Sequence, residues 1–327
     1  MTAPDGASLD SLDALDLAGL RVAALRTALE LDLFSAVAAG ASSVPALAAA
    51  RDCSSRGISI LVNALHGIGL LRVSGDTISN TATAATYLCA GSPGDTRAIY
   101  LDWMRNRDHL LEAVRSGQAV ATHATEQHGQ AWGSYASMSV PDWRSQVDGL
   151  VEAFGNRGFR VQPDQTVADI GCGSGILALS LIHGVPGARA ILIDRPEVLE
   201  VASRLAADMG LTDRTTLIAG EASTLDLAPG SIDYAFLVNV AQYLHDDVLL
   251  AAVDVLKSAV RPSGAVYVRC PVTDPTDDPD DPTWATLLEM YLASSVPQRS
   301  TAEYLALFAT AGFPDVTAEP GGRFTLR

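Results

Sequence analysis

Lysine is nearly absent from this sequence of 327 residues. Lys257 is the only one, and 22 basic side chains stand against 38 acidic ones, which gives a formal net charge of −16. Proteins that bind nucleic acid normally present a basic face to the phosphate backbone, whereas the arginines here are scattered along the chain. We therefore expect no nucleic-acid partner.

Cysteine is scarce, and no two cysteines are close in sequence. The four cysteines, Cys53, Cys89, Cys172 and Cys270, form no C-x-x-C motif. This spacing indicates neither a structural zinc site nor a disulfide framework. Because disulfides follow oxidising compartments, we expect reduced thiols, a cytoplasmic protein and no cysteine-bound metal.

Long apolar runs are also missing. The sequence has no stretch of about 18 consecutive apolar residues, which is what a membrane-spanning helix needs. Residues 1–16 are acidic and lack the basic start and apolar centre of a secretory signal. We expect no membrane partner and no removable leader.

Residues 1–105 carry the pattern of a small helical domain. Apolar residues recur at helical spacing over 17–31 and 55–68. Two short strands, 69–73 and 77–79, then flank a turn. Helices followed by a hairpin are typical of a winged helix.

A winged helix often binds DNA through its third helix. Here that helix, 55–68, offers Arg56 and His66 as its basic side chains, and its other positions are mostly apolar. An apolar helix suits packing against protein better than contact with a phosphate backbone. The pattern therefore favours a domain that binds protein.

Residues 163–327 alternate short apolar runs with helical segments. The runs lie at 167–170, 190–194, 215–219, 234–238 and 265–269. The helical segments lie at 176–183, 196–209 and 247–259. Strands that alternate with helices form a parallel sheet covered on both faces. A helix at 301–311 and two edge strands, at 316–318 and 324–326, complete a predicted α/β domain.

Residues 106–162 join these two parts and contain several aromatic side chains. We predict a helical linker that contributes to a substrate pocket, with Trp132 and Trp143 in its wall. Trp103, Arg105 and Met290 complete the set of expected substrate contacts. For the tryptophans, packing in the core remains the alternative.

The run Gly171-Cys172-Gly173-Ser174-Gly175 follows the first strand of the α/β domain and leads into a helix. Ligands of such sheets bind outside the carboxyl ends of the strands, and glycines there let a ligand approach the backbone. Neither the dinucleotide spacing G-x-G-x-x-G nor the G-K-S/T of a phosphate loop occurs at this loop. Asp169 followed by G-x-G-x-G resembles motif I of class I methyltransferases, whose loop passes under the amino acid and ribose of S-adenosylmethionine.

Polar residues also follow the next strands. Asp194 ends the second strand, where a carboxylate can bind both ribose hydroxyls, as a similar acid does in NAD enzymes. By resemblance, Glu221 with Ala222 stands where the family meets the adenine amino group, and Asn239 where the methionine part lies. The predicted cofactor-binding residues are Asp169, Gly171, Gly173, Gly175, Asp194, Arg195, Glu221, Ala222 and Asn239.

Further segments resemble the caffeate/hydroxyindole-type family of small-molecule O-methyltransferases. Residues 31–37 and 61–71 are similar to its N-terminal dimerisation domain. Residues 194–198, 244–246 and 311–313 resemble its Asp-Leu-Pro-x-Val, Leu-His-Asp-Trp and Ala-Gly-Phe segments, in that order. The resemblance implies a Rossmann-like, mostly parallel seven-stranded sheet, a winged-helix dimerisation domain, a homodimer and a small-molecule acceptor. The bacterial relatives tailor natural products.

The resemblance also implies a catalytic role for His245. In the family, the histidine of Leu-His-Asp-Trp takes the proton of the acceptor hydroxyl, and histidine suits proton removal near neutral pH. Two positions depart from the pattern: Asp247 replaces the tryptophan, and Gln298 stands where a glutamate orients the histidine. An amide can accept a hydrogen bond but supplies no charge, so we expect Asp246 to assist.

These departures leave alternatives to O-methylation open. Relatives with this fold methylate the carbon of an α-keto acid or enol, some with a metal for which His245 and Gln298 would be two ligands, although no complete ligand set is evident. A keto acid also needs an arginine for its carboxylate. Arg105, Arg107 and Arg299 are candidates. Other relatives bind the cofactor without transferring a methyl group.

Overall fold

The computed structural model describes residues 9–119, 126–222, 226–275, 281–313 and 315–327. The chain folds into two compact units, Met1–Met104 and Arg105–Arg327. The predicted division into 1–105, 106–162 and 163–327 stays a prediction. Residues 120–125 of the predicted linker lie outside the described part of the chain.

The first unit consists of helices and one hairpin. Its elements are α1 (Asp10–Glu30), α2 (Leu33–Ala38), α3 (Val44–Ala50), α4 (Ser55–Gly67), β1 (Leu71–Ser74), β2 (Thr77–Asn80) and α5 (Ala82–Tyr87); α6 (Arg97–Asp108) spans the boundary. Ser43 and Ser54 begin α3 and α4, because each side chain accepts a hydrogen bond from a backbone N–H three residues later. The hairpin lies where the sequence predicts it.

Helix α1 is buried at one end only. Near its end, Ala28 and Leu29 join the core of the first unit. Nearer its start, Leu12, Leu15 and Leu20 are 61%, 69% and 62% exposed. Several exposed leucines on one helix form an apolar patch, and such patches are typical of surfaces that contact another protein.

The second unit is a sheet with helices on both faces. Its strands are β3 (Thr166–Ile170), β4 (Arg189–Asp194), β5 (Thr215–Ala219), β6 (Ile232–Val238), β7 (Val260–Arg269), β8 (Val316–Glu319) and β9 (Arg323–Leu326). Its helices after α6 are α7 (Leu110–Ser116), α8 (Glu126–Ser137), α9 (Trp143–Gly155), α10 (Ile176–Ile182), α11 (Pro196–Asp208), α12 (Asp246–Ala259), α13 (Thr283–Ala293) and α14 (Thr301–Thr310). The predicted α/β fold with seven strands is confirmed.

The strand order is β5-β4-β3-β6-β7-β9-β8. Strands β3 to β7 pair in parallel, and β9 runs antiparallel between β7 and β8. The prediction of an edge strand at 324–326 is therefore wrong, because β9 is paired on both sides and Phe324 and Leu326 are fully buried. Strand β8, with Thr317 and Ala318 exposed, forms that edge as predicted.

Apolar layers cover both faces of the sheet. On one face, the Phe154 ring of α9 lies 5.5 Å from Phe236 and 5.1 Å from Tyr267, centroid to centroid. On the other face, Leu249 and Phe308 pack from α12 and α14. Within the described ranges, no helix has the length and apolar character to cross a membrane. The loops after β3, β4 and β6 meet at one edge of the sheet, where parallel α/β sheets bind ligands.

Candidate active site

The glycine loop after β3 is a close-packed turn with one open side. Gly171, Gly173 and Gly175 have φ of +66°, +56° and +76°, a region that favours glycine. A Cβ at Gly171 would collide with Val240 Cγ2, and one at Gly175 would lie 2.6 Å from Leu192 Cδ1. A Cβ at Gly173 would meet no described atom within 4 Å. Two glycines are therefore required by packing, and the third leaves room for a ligand.

Asp194, at the end of β4, faces this loop. Its Oδ2 accepts the Gly173 N–H at 2.9 Å, and its Oδ1 accepts the Arg195 N–H at 2.8 Å. Burial raises the pKa of Asp194, and these two N–H groups oppose the rise. A carboxylate has about four acceptor positions, so two remain for hydroxyl groups of a ligand.

Asp169, at the end of β3, is 3% exposed. Burial, together with the nearby Asp194 carboxylate, raises the pKa of Asp169 to about 7. The cavity thus holds one carboxyl group that is partly protonated near neutral pH. Perturbed carboxyl groups of this kind cluster at functional sites.

The loops enclose a cavity of about 450 Å³, a volume typical of small-molecule sites. Trp132, Tyr135 and Tyr243 form an aromatic wall, in which Trp132 meets Tyr243 edge-on at 5.3 Å between centroids. The Ser139 and Ser174 hydroxyl oxygens lie 2.7 Å apart and tie the α8–α9 turn to the glycine loop. The sequence offered no signal for Ser139; Tyr243 could have been noted as an aromatic residue soon after a strand end.

The structure brings most of the predicted cofactor residues to this cavity. Those that line it are Asp169, Gly171, Gly173, Asp194, Arg195 and Asn239. Gly175 lies just behind, at the start of α10. Glu221 and Ala222 follow β5, the strand that pairs with β4. They are not among the residues that line the cavity. Their predicted contact with adenine stays a prediction.

His245 is exposed at the start of α12. It occupies the N-cap position of this helix, as the alternative of a capping histidine expects, but among the described residues its side chain makes no capping hydrogen bond. The Gln298 side-chain amide donates a hydrogen bond to the Leu287 carbonyl. Among the described residues Gln298 makes no hydrogen bond with His245, so the structure gives Gln298 no role in orienting that ring.

Arg299 is buried beneath the start of α12. Its Nε and Nη2 donate to Asp246 Oδ1 at 2.9 and 2.6 Å, and Nη2 also donates to the Leu244 carbonyl at 2.8 Å. With 4% exposure, Arg299 is a structural residue of this turn. The prediction that it could bind a substrate carboxylate is wrong, and Asp246 is held by Arg299 rather than free.

Trp132, expected in the wall of a substrate pocket, lines this cavity, whereas Trp103, Arg105, Trp143 and Met290 are not among the residues that line it. Trp143 is buried in the core, edge-on to His183, and Met290 is 3% exposed on α13. The Trp103 ring meets the Tyr100 ring edge-to-face within α6, and Arg105 is exposed on the same helix. Their roles in substrate binding stay predictions.

No group of three His, Cys, Asp or Glu side chains within the described ranges is placed to hold a metal ion. Arg107, the other arginine considered for a substrate carboxylate, pairs with Glu289. The cavity at the glycine loop has the size of a site for an organic cofactor.

Two family models match the chain: an O-methyltransferase dimerisation domain over residues 17–90 and a methyltransferase domain over residues 167–264. The chain is 31% identical to the acetylserotonin O-methyltransferase of Mus musculus over 317 residues, which covers 86% of this chain and 78% of that one. The chain belongs to this O-methyltransferase family. The resemblance inferred from the sequence is thereby confirmed, and the protein is an S-adenosylmethionine-dependent O-methyltransferase of small molecules.

Other relatives agree with this assignment. The O-methyltransferase is 25% identical to the mitomycin biosynthesis 6-O-methyltransferase of Streptomyces lavendulae, over 100% of this chain and 95% of that one. The crystal structure of human N-acetylserotonin methyltransferase in complex with S-adenosylmethionine matches with a TM-score of 0.72 at 20% identity, covering 99% of both chains. That likeness confirms the fold.

Proposed function

We propose that this O-methyltransferase methylates a hydroxyl group of a secondary-metabolite-type acceptor, with His245 as the general base. The observation that carries the proposal is the cavity formed by the glycine loop and Asp194 at the carboxyl edge of the sheet. The similarity to a mitomycin biosynthesis enzyme supports an acceptor from secondary metabolism.

The residues of the cavity fit S-adenosylmethionine, which supplies an electrophilic methyl group on a sulfonium. Asp194 keeps two acceptor positions for the ribose hydroxyls, and the open side of Gly173 lets the cofactor lie against the backbone. Asn239 lines the end of the cavity assigned to the methionine part, and Glu221 is assigned to the adenine amino group. Trp132 and Tyr243 line the same cavity, and aromatic rings near a bound cation stabilise it.

We assign His245 the role of the base that takes the proton from the acceptor hydroxyl. As the oxygen bonds to the methyl carbon and the carbon–sulfur bond breaks, the hydroxyl proton passes to an imidazole nitrogen of His245. Its exposed ring is accessible to an acceptor, and no capping bond occupies it. Much of the rate enhancement comes from holding acceptor and methyl group in line.

Replacing His245 tests this assignment. General-base catalysis contributes about 10²–10⁴-fold, so His245→Ala should lower turnover by that factor while its affinity for S-adenosylmethionine is unchanged. Turnover is measured with radiolabelled S-adenosylmethionine and a panel of hydroxylated aromatic acceptors. His109→Ala, at another exposed histidine, is the matched control. Equal turnover of His245→Ala and wild type would remove the assigned role.

We also infer a homodimer through the N-terminal unit. The dimerisation-domain match covers residues 17–90, and α1 exposes Leu12, Leu15 and Leu20 at its unpacked end. A second copy would cover these leucines and remove apolar surface from water.

We also propose a cytoplasmic location, because the cysteine thiols form no disulfide bonds. The four cysteines are free in the structure, and Cys89, Cys172 and Cys270 are buried. Free thiols fit a reducing compartment.

A further inference from the structure

Arg269 ends β7 beside the wall of the cavity. It pairs in register with Val238 of β6, which lines the cavity, and the Asn239 N–H donates to the Arg269 carbonyl at 2.8 Å. Paired residues of neighbouring strands point to the same face of a sheet and lie about 4.8 Å apart. The Arg269 side chain therefore starts one strand away from the cavity, on the same face as Val238.

The Arg269 guanidinium has no partner within the part of the chain that the structure describes. The side chain is exposed, and no described residue accepts a hydrogen bond from it or forms an ion pair with it. The chain has 38 acidic residues, so an arginine next to a cavity without a carboxylate partner has charge to offer a ligand.

Arg323 of β9 stands directly opposite Arg269. The turn before it is fixed against the end of β7, because the Cys270 N–H donates to the Gly322 carbonyl at 3.0 Å. Gly322 has a φ of +66°, and a Cβ there would collide with the Cys270 carbonyl oxygen. The backbone thus holds two arginines on adjacent strands.

The local charges do not balance. Glu319 of β8 pairs in register with Arg323, but its ion-pair partner, at 3.4 Å, is Arg157. Arg157 and Arg269 both lie close enough to Tyr267 for their charges to act on its hydroxyl. Glu319 thus pairs with Arg157, whereas Arg323 donates from Nη1 to the Pro320 carbonyl, and neither Arg323 nor Arg269 forms an ion pair in the described part of the chain. Like charges directly opposite each other destabilise a sheet, so the register of Arg269 with Arg323 does not itself stabilise the fold.

We propose that Arg269, assisted by Arg323, binds an anionic group of the methyl acceptor, so that the acceptor is a hydroxylated carboxylic acid. This inference rests on the proposed function, because it places the acceptor beside the cofactor cavity. Arginine matches the planar carboxylate with two parallel hydrogen bonds. The carboxylate fixes the acceptor at β7 and directs its hydroxyl towards the cavity.

A matched pair of probes tests the proposal. 3-Hydroxybenzoate and 3-hydroxybenzamide differ in the charge of one substituent, and both are titrated into the protein saturated with S-adenosylhomocysteine. The readout is the NMR signal of the arginine Nε–H groups, with binding measured by calorimetry. We expect saturable binding of the benzoate with a shift of the Arg269 signal, and at least 10-fold weaker binding of the benzamide.

Variants assign the effect to Arg269. A hydrogen bond to a charged group corresponds to about a 10- to 100-fold change in affinity, so Arg269→Gln should weaken benzoate binding by that factor and leave benzamide binding unchanged. Arg269→Lys should restore part of the preference. Arg72→Gln, at an exposed arginine of the N-terminal hairpin, is the control.

The outcomes separate this inference from the proposed function. Equal affinity for the two probes, no saturable benzoate binding, or an Arg269→Gln variant that keeps the preference would each overturn the carboxylate site. The affinity of the same samples for S-adenosylmethionine and their methyl-transfer activity report on the proposed function independently.

Discussion

At the scale of single residues, the two carboxyl groups at the ends of β3 and β4 set the charge of the cofactor cavity. Asp194 is bonded by two backbone N–H groups, whereas burial and the charge of Asp194 raise the pKa of Asp169 to about 7. Because the pKa of Asp169 is higher in the folded than in the unfolded chain, the native state binds its proton more tightly. Asp169 therefore contributes stability at low pH that is lost as the pH rises through about 7.

Asp169→Asn should change the pH dependence of stability. Between about pH 4 and 7, the unfolding free energy of the wild type should fall relative to that of the variant, by up to about 1.4 kcal/mol per pH unit. Chemical denaturation of the cofactor-free protein at several pH values measures this difference. Asp148→Asn, at an exposed position of α9, should follow the wild type. Parallel curves for wild type and Asp169→Asn would contradict the buried, proton-binding carboxyl group.

The sequence predicts residues of this cavity where the signal is local. The spacing of Gly171, Gly173 and Gly175 and the acid at a strand end are contained in a few positions. The roles of Arg299 and Trp143 depend on contacts with distant segments: Arg299 reaches Asp246, 53 residues away. Composition and spacing contain no information on such contacts, so the sequence could not separate a buried structural arginine from a substrate ligand.

At the scale of elements, most boundaries follow from patterns within each segment. The predicted strand at 215–219 is β5 itself, and the predicted helix at 196–209 differs from α11 by one residue. The error concerns β9, whose burial depends on its insertion between β7 and β8. The sequence of a short apolar strand does not specify which strands it pairs with. The position of β9 in the sheet could therefore be determined only from the structure.

The exposed leucines of helix α1 are predicted to form part of the dimer interface. Leu12→Gln combined with Leu15→Gln should weaken the proposed dimer. Burial of each leucine side chain on association contributes about 1.5–3 kcal/mol of free energy, which the glutamines would not supply. Sedimentation velocity across a concentration series measures the shift towards monomer. Leu111→Gln with Val114→Gln changes similarly exposed residues, 61% and 64%, outside the N-terminal unit. A dimer that is unchanged in the α1 variant, or equally weakened in the control, would count against the α1 interface.

At the scale of the whole molecule, the cofactor end and the acceptor end differ in how far the sequence determines them. The cofactor end is built from consecutive strand ends, so one repeated pattern of strand, loop and helix predicts it. The proposed acceptor end, at Arg269, depends on neighbours such as Val238 and Arg323, which come from segments far apart in the chain. Of the expected substrate residues, Trp132 lines the cavity, and Trp103, Arg105, Trp143 and Met290 are not among the residues that do. Tyr243 and Ser139 line it without having been expected.

Calorimetric titration with S-adenosylmethionine tests the account most directly. We predict one saturable site per chain, and an affinity about 10- to 100-fold lower in Asp194→Asn, because the ribose hydroxyls lose hydrogen bonds to a charged acceptor. Asp254→Asn, at an exposed position of α12, should bind as the wild type does. Absence of binding by the folded wild-type protein, or undiminished binding by Asp194→Asn, would contradict the assignment of this cavity to the cofactor.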